Sequence, residues 1–327
     1  MISLNGKKIL ITGGTGSFGN ALIDHLHNID AQLIVFSRDE KKQHDMYLSR
    51  KDNRVKYIVG DIRNKEKLKY SMNDVDYVFH AAALKHVPTG ENFPEEVIET
   101  NILGTKNVIE AAESCDVKKV ISLSTDKAVY PINAYGMSKA LAEKIISSHT
   151  GDTICVSLRH GNVLGSRGSV VPLFLDYINQ NQPLTITNPN MTRFLLTLGE
   201  AVKLSLKCLN DGNKGDLFVI KSPGCTIQTL VEALELHFGK EFEKKIIGIR
   251  PGEKIHETLL TSDEVHRSKI EQEDGITYAK VPPLGKNMED YFYAGENYEG
   301  PEPFTSSNTE RYNAEKTLAK INEAKVI

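Results

Sequence analysis

Residues 124–139 read Ser-Thr-Asp-Lys-Ala-Val-Tyr-Pro-Ile-Asn-Ala-Tyr-Gly-Met-Ser-Lys and hold four groups suited to moving protons. Asp126 is an acid and Lys127 a potential base at the end of an expected strand. Tyr135 and Lys139 follow at i,i+4 spacing in an expected helix start, so they share one helical face. An ammonium there favours the phenolate and is expected to depress the pKa of Tyr135. A tyrosine so poised can take a proton from a sugar hydroxyl while a neighbouring nicotinamide accepts hydride from the same carbon. Tyr-x-x-x-Lys alone also fits an ordinary solvated helix start, so the surrounding elements must decide.

Those elements begin at the N-terminus. Residues 8–12 are a short apolar run of strand type, and Gly13-Gly14-Thr15-Gly16-Ser17-Phe18-Gly19 leads at once into a helical pattern. Strand, glycine turn and helix in this order are what a dinucleotide site requires. Gly13, Gly16 and Gly19 permit a tight turn and close backbone approach, while free N–H groups at the helix start face the pyrophosphate. Thr15, Ser17 and Phe18 lie in the same loop and join the cofactor set.

The second strand, residues 33–36, runs into Ser37-Arg38-Asp39-Glu40-Lys41-Lys42. A carboxylate at this strand end suits NAD, whereas a guanidinium accommodates the additional phosphate of NADP. Arg38 comes first, and with Ser37 and Lys41 it favours NADP. Asp39 or Glu40 could still reach the ribose, leaving Arg38 as a surface charge.

Strand and helix patterns keep alternating through residues 55–59, 76–80 and 119–123, with helical segments at 95–112 and 135–149. This predicts an α/β fold, a doubly wound parallel sheet of Rossmann type. Ala81, Ala82 and Ala83 would let a cofactor approach a strand end, or simply pack in the core. Beyond residue 162 the regularity loosens. Arg193 and Arg250, with Arg167-Gly168-Ser169, supply charge on turns, as a grip on phosphate oxygens would. Residues 289–303 read as an irregular, aromatic arm before a final helix near 313–323, packed on its own chain or on a neighbour.

Composition sets the class. The chain has 327 residues, 40 basic and 43 acidic side chains and a formal charge of −3, which gives no electrostatic argument for nucleic acid. No run approaches the roughly 20 apolar residues of a membrane span, and a cytoplasmic enzyme is expected. Cys115, Cys155, Cys208 and Cys225 lack paired spacing, so neither a metal site nor a disulfide is predicted.

Taken together, residues 12–19, 80–88, 124–139 and 250–257 resemble an extended short-chain dehydrogenase/reductase acting on a nucleotide sugar. More narrowly, residues 36–42, 83–88 and 124–129 are similar to the UDP-N-acetylglucosamine 4,6-dehydratases, and residues 304–311 to the branch that also inverts C5. Tyr135 stands where members of that branch often carry Met. The resemblance implies an NADP-binding domain over 1–163 plus about 194–222, and a smaller α/β UDP-sugar domain over about 164–193 plus 223–327. It adds Thr125 to the catalytic set and Lys42, Asp61, Ile62, Thr100 and Val163, beside Tyr135 and Lys139, to the cofactor set. Lys85, Asn162, Val170, Val171, Pro172, Arg193, Arg250 and Glu253 would surround a UDP-N-acetylglucosamine substrate. A homo-oligomer is implied, a hexamer among the possibilities.

The implied chemistry follows from the residues. Hydride leaves C4, the new ketone acidifies C5–H, and a neutral Lys127 takes that proton while a protonated Asp126 serves the departing C6 hydroxyl. Hydride then returns to C6. Two other readings share the scaffold: a nucleotide-sugar 4-epimerase, which needs no acid–base pair for losing water, and an NADP-binding regulatory protein.

Overall fold

The computed structural model describes residues 2–166, 168–284 and 300–327. Arg167 and most of the expected arm, including Tyr291, Phe292, Tyr293 and Tyr298, lie outside the described residues.

The apolar runs become the middle of a nine-stranded sheet. Its strands are β1 (Lys8–Thr12), β2 (Gln32–Ser37), β3 (Val55–Val59), β4 (Tyr77–His80), β5 (Lys119–Thr125) and β6 (Ile154–His160), then β9 (Leu217–Ile220), β13 (Lys269–Glu273) and β14 (Ile276–Val281). Seven of them are parallel in the order β3-β2-β1-β4-β5-β6-β9. Side chains alternate between faces. Ile9, Ile11, Leu33 and Val35 therefore enter one core, and Leu10, Ile34 and Phe36 the other. Both cores are fully buried, which explains runs too apolar for simple alternation.

Two features depart from the sequence expectation. Residues 269–281, assigned above to the sugar domain, instead extend the large sheet as antiparallel β13 and β14 beside β9. The helix expected over 95–112 is three pieces, Pro94–Val97, a π-helical segment Ile98–Leu103, and Gly104–Ser114.

The smaller unit is built on the helices Val170–Asn179 and Ile227–Phe238 with their own apolar core. Short strand pairs brace it: β7 (Leu184–Ile186) with β11 (Lys244–Ile246), β8 (Thr192–Phe194) with β10 (Gly224–Thr226), and β12 (Thr258–Leu260) with β15 (Phe304–Thr305). The C-terminal helix Ala314–Glu323 closes this core with Ile321, which is fully buried. Among the described residues no helix is long and apolar enough to cross a membrane.

Candidate active site

The crevice lies at the carboxyl ends of the parallel strands, where β1 and β4 diverge to opposite sides; open α/β sheets bind ligands at such a point. Thr12 ends β1 and His80 ends β4, and the two are pinned by a 2.7 Å hydrogen bond, with Thr105 on the other ring nitrogen at 3.0 Å. Burial pushes His80 down to about 3, so it is a neutral strut.

β5 delivers the acid–base residues. Its last residue, Thr125, caps the turn Asp126–Ala128 by accepting the Lys127 N–H. The Thr125 hydroxyl donates to Asp126 Oδ1 at 3.0 Å, and Lys127 Nζ reaches the same oxygen at 3.0 Å. A second carboxylate, Glu257, lies 3.4 Å from Lys127 Nζ.

The helix Ala134–Ser147 brings Tyr135 and Lys139. Asn133 caps it, accepting the Gly136 N–H at 2.8 Å and donating to the Gly252 carbonyl at 2.9 Å. A Cβ at Gly136 would overlap the Lys127 carbonyl oxygen, so only glycine lets the helix start press onto the turn. The Tyr135 phenol consequently lies beside Thr125, which lowers its pKa.

Electrostatics here correct two expectations. Burial raises the pKa of Tyr135 and outweighs the lowering by Lys127 and Thr125, so the phenol is held protonated rather than depressed toward phenolate. Burial alone would lower Lys127, but Asp126 and Glu257 reverse it and hold the pKa above the ordinary lysine range. Lys127 keeps 24% of its side-chain surface, which moderates the burial penalty and leaves the carboxylates dominant. It is therefore charged, not the neutral base expected. Lys139, nearly fully buried, is pushed down to about 8.

The glycine loop fits a dinucleotide. Gly13 has φ +66°, and a Cβ there would lie 2.8 Å from the Ala82 backbone, so strand β1 and the alanine segment approach as closely as backbones can. The helix Ser17–His25 starts at Gly16 with no side-chain cap, leaving its first N–H groups for a ligand. Phe18 and Gly19 are buried in that first turn, and Thr15 hydrogen-bonds Ser37 at 3.0 Å. Asp39 caps the helix Glu40–Arg50 and pairs with Lys42, while Lys41 pairs with Asp45. Arg38 meets Asp61 at 3.5 Å, and Asp61 is engaged more closely by Arg63. Ile62 packs against Gly104, and Thr100, in the π-helical segment, is buried with Oγ1 unbonded.

Asn162, Val163, Val170, Val171 and Arg193 line one cleft together with Ser169 and Cys225. Pro172 sits in the first turn of the same helix as Val170. Arg193 donates to the Thr192 carbonyl at 2.7 Å. Lys85 and Arg250 are on exposed loops. Among the described residues, buried oxygens without a hydrogen-bond partner include Ser124 Oγ, Asp126 Oδ2, Asn162 Oδ1, Ser169 Oγ, Glu253 Oε2 and Glu257 Oε2. Unpaired buried polar atoms are costly, and their concentration around one crevice marks where a polar ligand belongs. The sequence assigns no role to Asn133, Glu257 or Ser306, and Lys254 stands out only as a charge on the 250–254 turn suited to an anionic ligand. Only the placement of residues 250–257 in a recognised motif hinted at Glu257.

The cysteines are free thiols, three of them buried. Among the described residues no group of His, Cys, Asp and Glu could hold a metal.

Comparison with known proteins places the chain among relatives. The chain is 47% identical over 322 residues to the UDP-glucose 4-epimerase of Rickettsia rickettsii (strain Sheila Smith), covering 94% of this chain and 93% of that one. It superposes on Pen from Bacillus thuringiensis with a TM-score of 0.88 at 34% identity, over 100% of both chains. DesIV, a dTDP-glucose 4,6-dehydratase from Streptomyces venezuelae solved with NAD and TYD bound, shares the fold at a TM-score of 0.70 and 21% identity, over 76% of this chain and 86% of that one. The polysaccharide biosynthesis protein profile matches residues 9–279, from the first strand of the Rossmann sheet to its antiparallel edge. By this match and the fold just described, the chain belongs to the polysaccharide biosynthesis protein family, with the architecture of the extended short-chain dehydrogenase/reductases.

Proposed function

We propose that the protein is a UDP-N-acetylglucosamine 4,6-dehydratase that also inverts C5, yielding a 4-keto-6-deoxy sugar for surface polysaccharide or glycan synthesis. The coarser assignment, a nicotinamide-dependent enzyme modifying nucleotide sugars, rests on the family and on relatives covering nearly the whole chain. The finer one rests on one observation. Asp126, Lys127 and Tyr135 converge on one turn, with Asp126 Oδ2 buried and unbonded. An acid and an amine beside the tyrosine suit loss of water; transferring hydride out of and back to C4 requires neither.

Gly13, Gly16 and Gly19 would hold the pyrophosphate, and Arg38 with Ser37 the 2′-phosphate of NADP. Asp39 is already committed to its helix cap, which favours NADP over NAD. When bound, the nicotinamide supplies reversible hydride transfer at the sugar. Tyr135, protonated at rest, accepts the C4 hydroxyl proton as it passes its own through the Thr125 hydroxyl to the Asp126 carboxylate. Lys139 holds positive charge near the tyrosine. Asn162, Val170, Val171, Pro172, Arg193, Lys85, Arg250 and Glu253 would grip the UDP-sugar. We further propose a homo-oligomer, since Ile98, Leu103, Met137 and Leu141 expose apolar surface on adjoining helices.

A second reading is a UDP-hexose 4-epimerase, favoured by the name the 47%-identical Rickettsia relatives carry. Mass spectrometry separates the two. UDP-N-acetylglucosamine should lose one water on incubation with the protein and NADP; an isomer of unchanged mass, from it or from UDP-glucose, would establish the epimerase.

A further inference from the structure

Glu257 is 3% exposed, lies immediately before β12 and sits 3.4 Å from Lys127 Nζ through Oε1. Its other carboxylate oxygen is buried and unbonded. The tail fixes its backbone: the Glu257 N–H donates to Ser306 Oγ at 2.9 Å, and the Ser306 N–H returns to the Glu257 carbonyl at 2.8 Å. Ser306 is fully buried and shares a 2.6 Å hydrogen bond with Thr192. A structural ion pair has no need of two buried carboxylates around one amine, with an oxygen left open on each.

The arrangement also answers a difficulty in the elimination. A base must be neutral, yet Lys127 is held as an ammonium. Resting on the dehydratase reading, we propose that Glu257 is the proton partner of Lys127, a positioning residue that generates the neutral amine for abstraction at C5.

The protons balance. One passes from Lys127 Nζ to a Glu257 oxygen; an N–H bond breaks, an O–H bond forms, and the amine lone pair is released. That lone pair takes the C5 proton, the C5–H electrons become the C5–C6 double bond, and the C6–O bond breaks. Asp126, protonated through Thr125 by the relay that accompanies C4 oxidation, gives that proton to the leaving hydroxide, which departs as water. Asp126 is then a carboxylate, Lys127 an ammonium and Glu257 an acid. C5 then takes a proton from solvent on the face opposite Lys127, as inversion requires, and Glu257 releases its own to solvent, which restores the ammonium–carboxylate pair. Other charged and titratable groups face this cluster: Lys254, whose amine donates to the Val129 carbonyl at 2.5 Å, Arg193, Tyr135 and His160.

The test is Glu257→Gln beside Glu257→Asp and the wild type, each with NADP and UDP-N-acetylglucosamine in heavy water. In Glu257→Gln, single-turnover absorbance should show reduced nicotinamide forming at close to the wild-type rate. Water loss and C5 deuterium exchange should both fall about 100-fold, with partial recovery in Glu257→Asp. In the purified protein, NMR of isotope-labelled lysine should show Lys127 titrating at least about one pH unit lower in Glu257→Gln. Dehydration by Glu257→Gln at the wild-type rate overturns the role while leaving the dehydratase reading intact. Equal loss of C4 oxidation and elimination in both variants makes Glu257 structural and also overturns it. A wild type yielding only an isomer of unchanged mass overturns the reading and this role together.

Discussion

At the residue scale, the proposed dehydratase reading assigns a redox step and an elimination to different groups. Tyr135→Phe should slow C4 oxidation about 100-fold or more, because no phenol remains to take the hydroxyl proton. Lys127→Ala should still oxidise C4 but stall before water leaves, so reduced cofactor accumulates in a single turnover; full dehydration at the normal rate would remove Lys127 from the mechanism. Arg38→Ala should weaken NADP binding at least tenfold more than NAD binding, measured by fluorescence titration, because a charge-assisted contact is lost. Lys139 links function to stability. Its folded pKa of about 8 lies below the ordinary 10.5, so the buried ammonium penalises the folded state. The penalty is constant below about pH 8 and fades as pH rises toward 10.5, where the unfolded chain also loses its proton. Lys139→Met should therefore raise stability by on the order of 2–3 kcal/mol at pH 7, much less at pH 10, while abolishing turnover. Paired denaturation curves at the two pH values check the sign. The types and spacing of Asp126, Lys127, Tyr135 and Lys139 were legible in the sequence. The charge on Lys127 was not, because it depends on Glu257, more than a hundred residues away in the chain, and the shifts of Tyr135 and Lys139 depend on burial that no local pattern encodes.

At the scale of elements, the start of the helix Ala134–Ser147 is the part whose position matters most. Gly136→Ala must push that helix off the Lys127 carbonyl, costing about 1–3 kcal/mol, and should lower turnover by moving Tyr135 away from Thr125. Gly199→Ala, in the open first turn of the helix Leu198–Asp211, serves as the control and should be neutral or slightly stabilising. Equal effects from the two substitutions on thermal melting and rate would contradict the contact. The strands β1 to β6 were readable because buried parallel strands are short apolar runs punctuated by glycine and polar turns. The π-helical segment Ile98–Leu103 was not, since its composition is that of an ordinary helix and carries no signal for the wider turn. β13 and β14 were missed for another reason. Residues 269–273 are exposed and largely charged, as an edge strand tends to be, and they show no apolar run.

At the scale of the whole molecule, the tail belongs to the site. Residues 300–327 return to their own chain: β15 pairs with β12, Ser306 braces Glu257, and Lys320 bonds Glu200 at 2.7 Å. Deleting 300–327 should therefore give aggregated or unfolded protein, not a smaller soluble assembly; a soluble, cooperatively melting truncation with reduced mass by light scattering would favour an exchanged arm. Residues 289–299 form an aromatic, acidic stretch whose composition suits packing on its own chain and on a neighbour equally well. The measurement that bears most directly on the central claim is NMR of the product formed from UDP-N-acetylglucosamine in heavy water. The product should be a 4-keto-6-deoxy sugar with deuterium at C5 and inverted configuration there. A product retaining its C6 hydroxyl, protonated at C5 and altered only at C4, would contradict it.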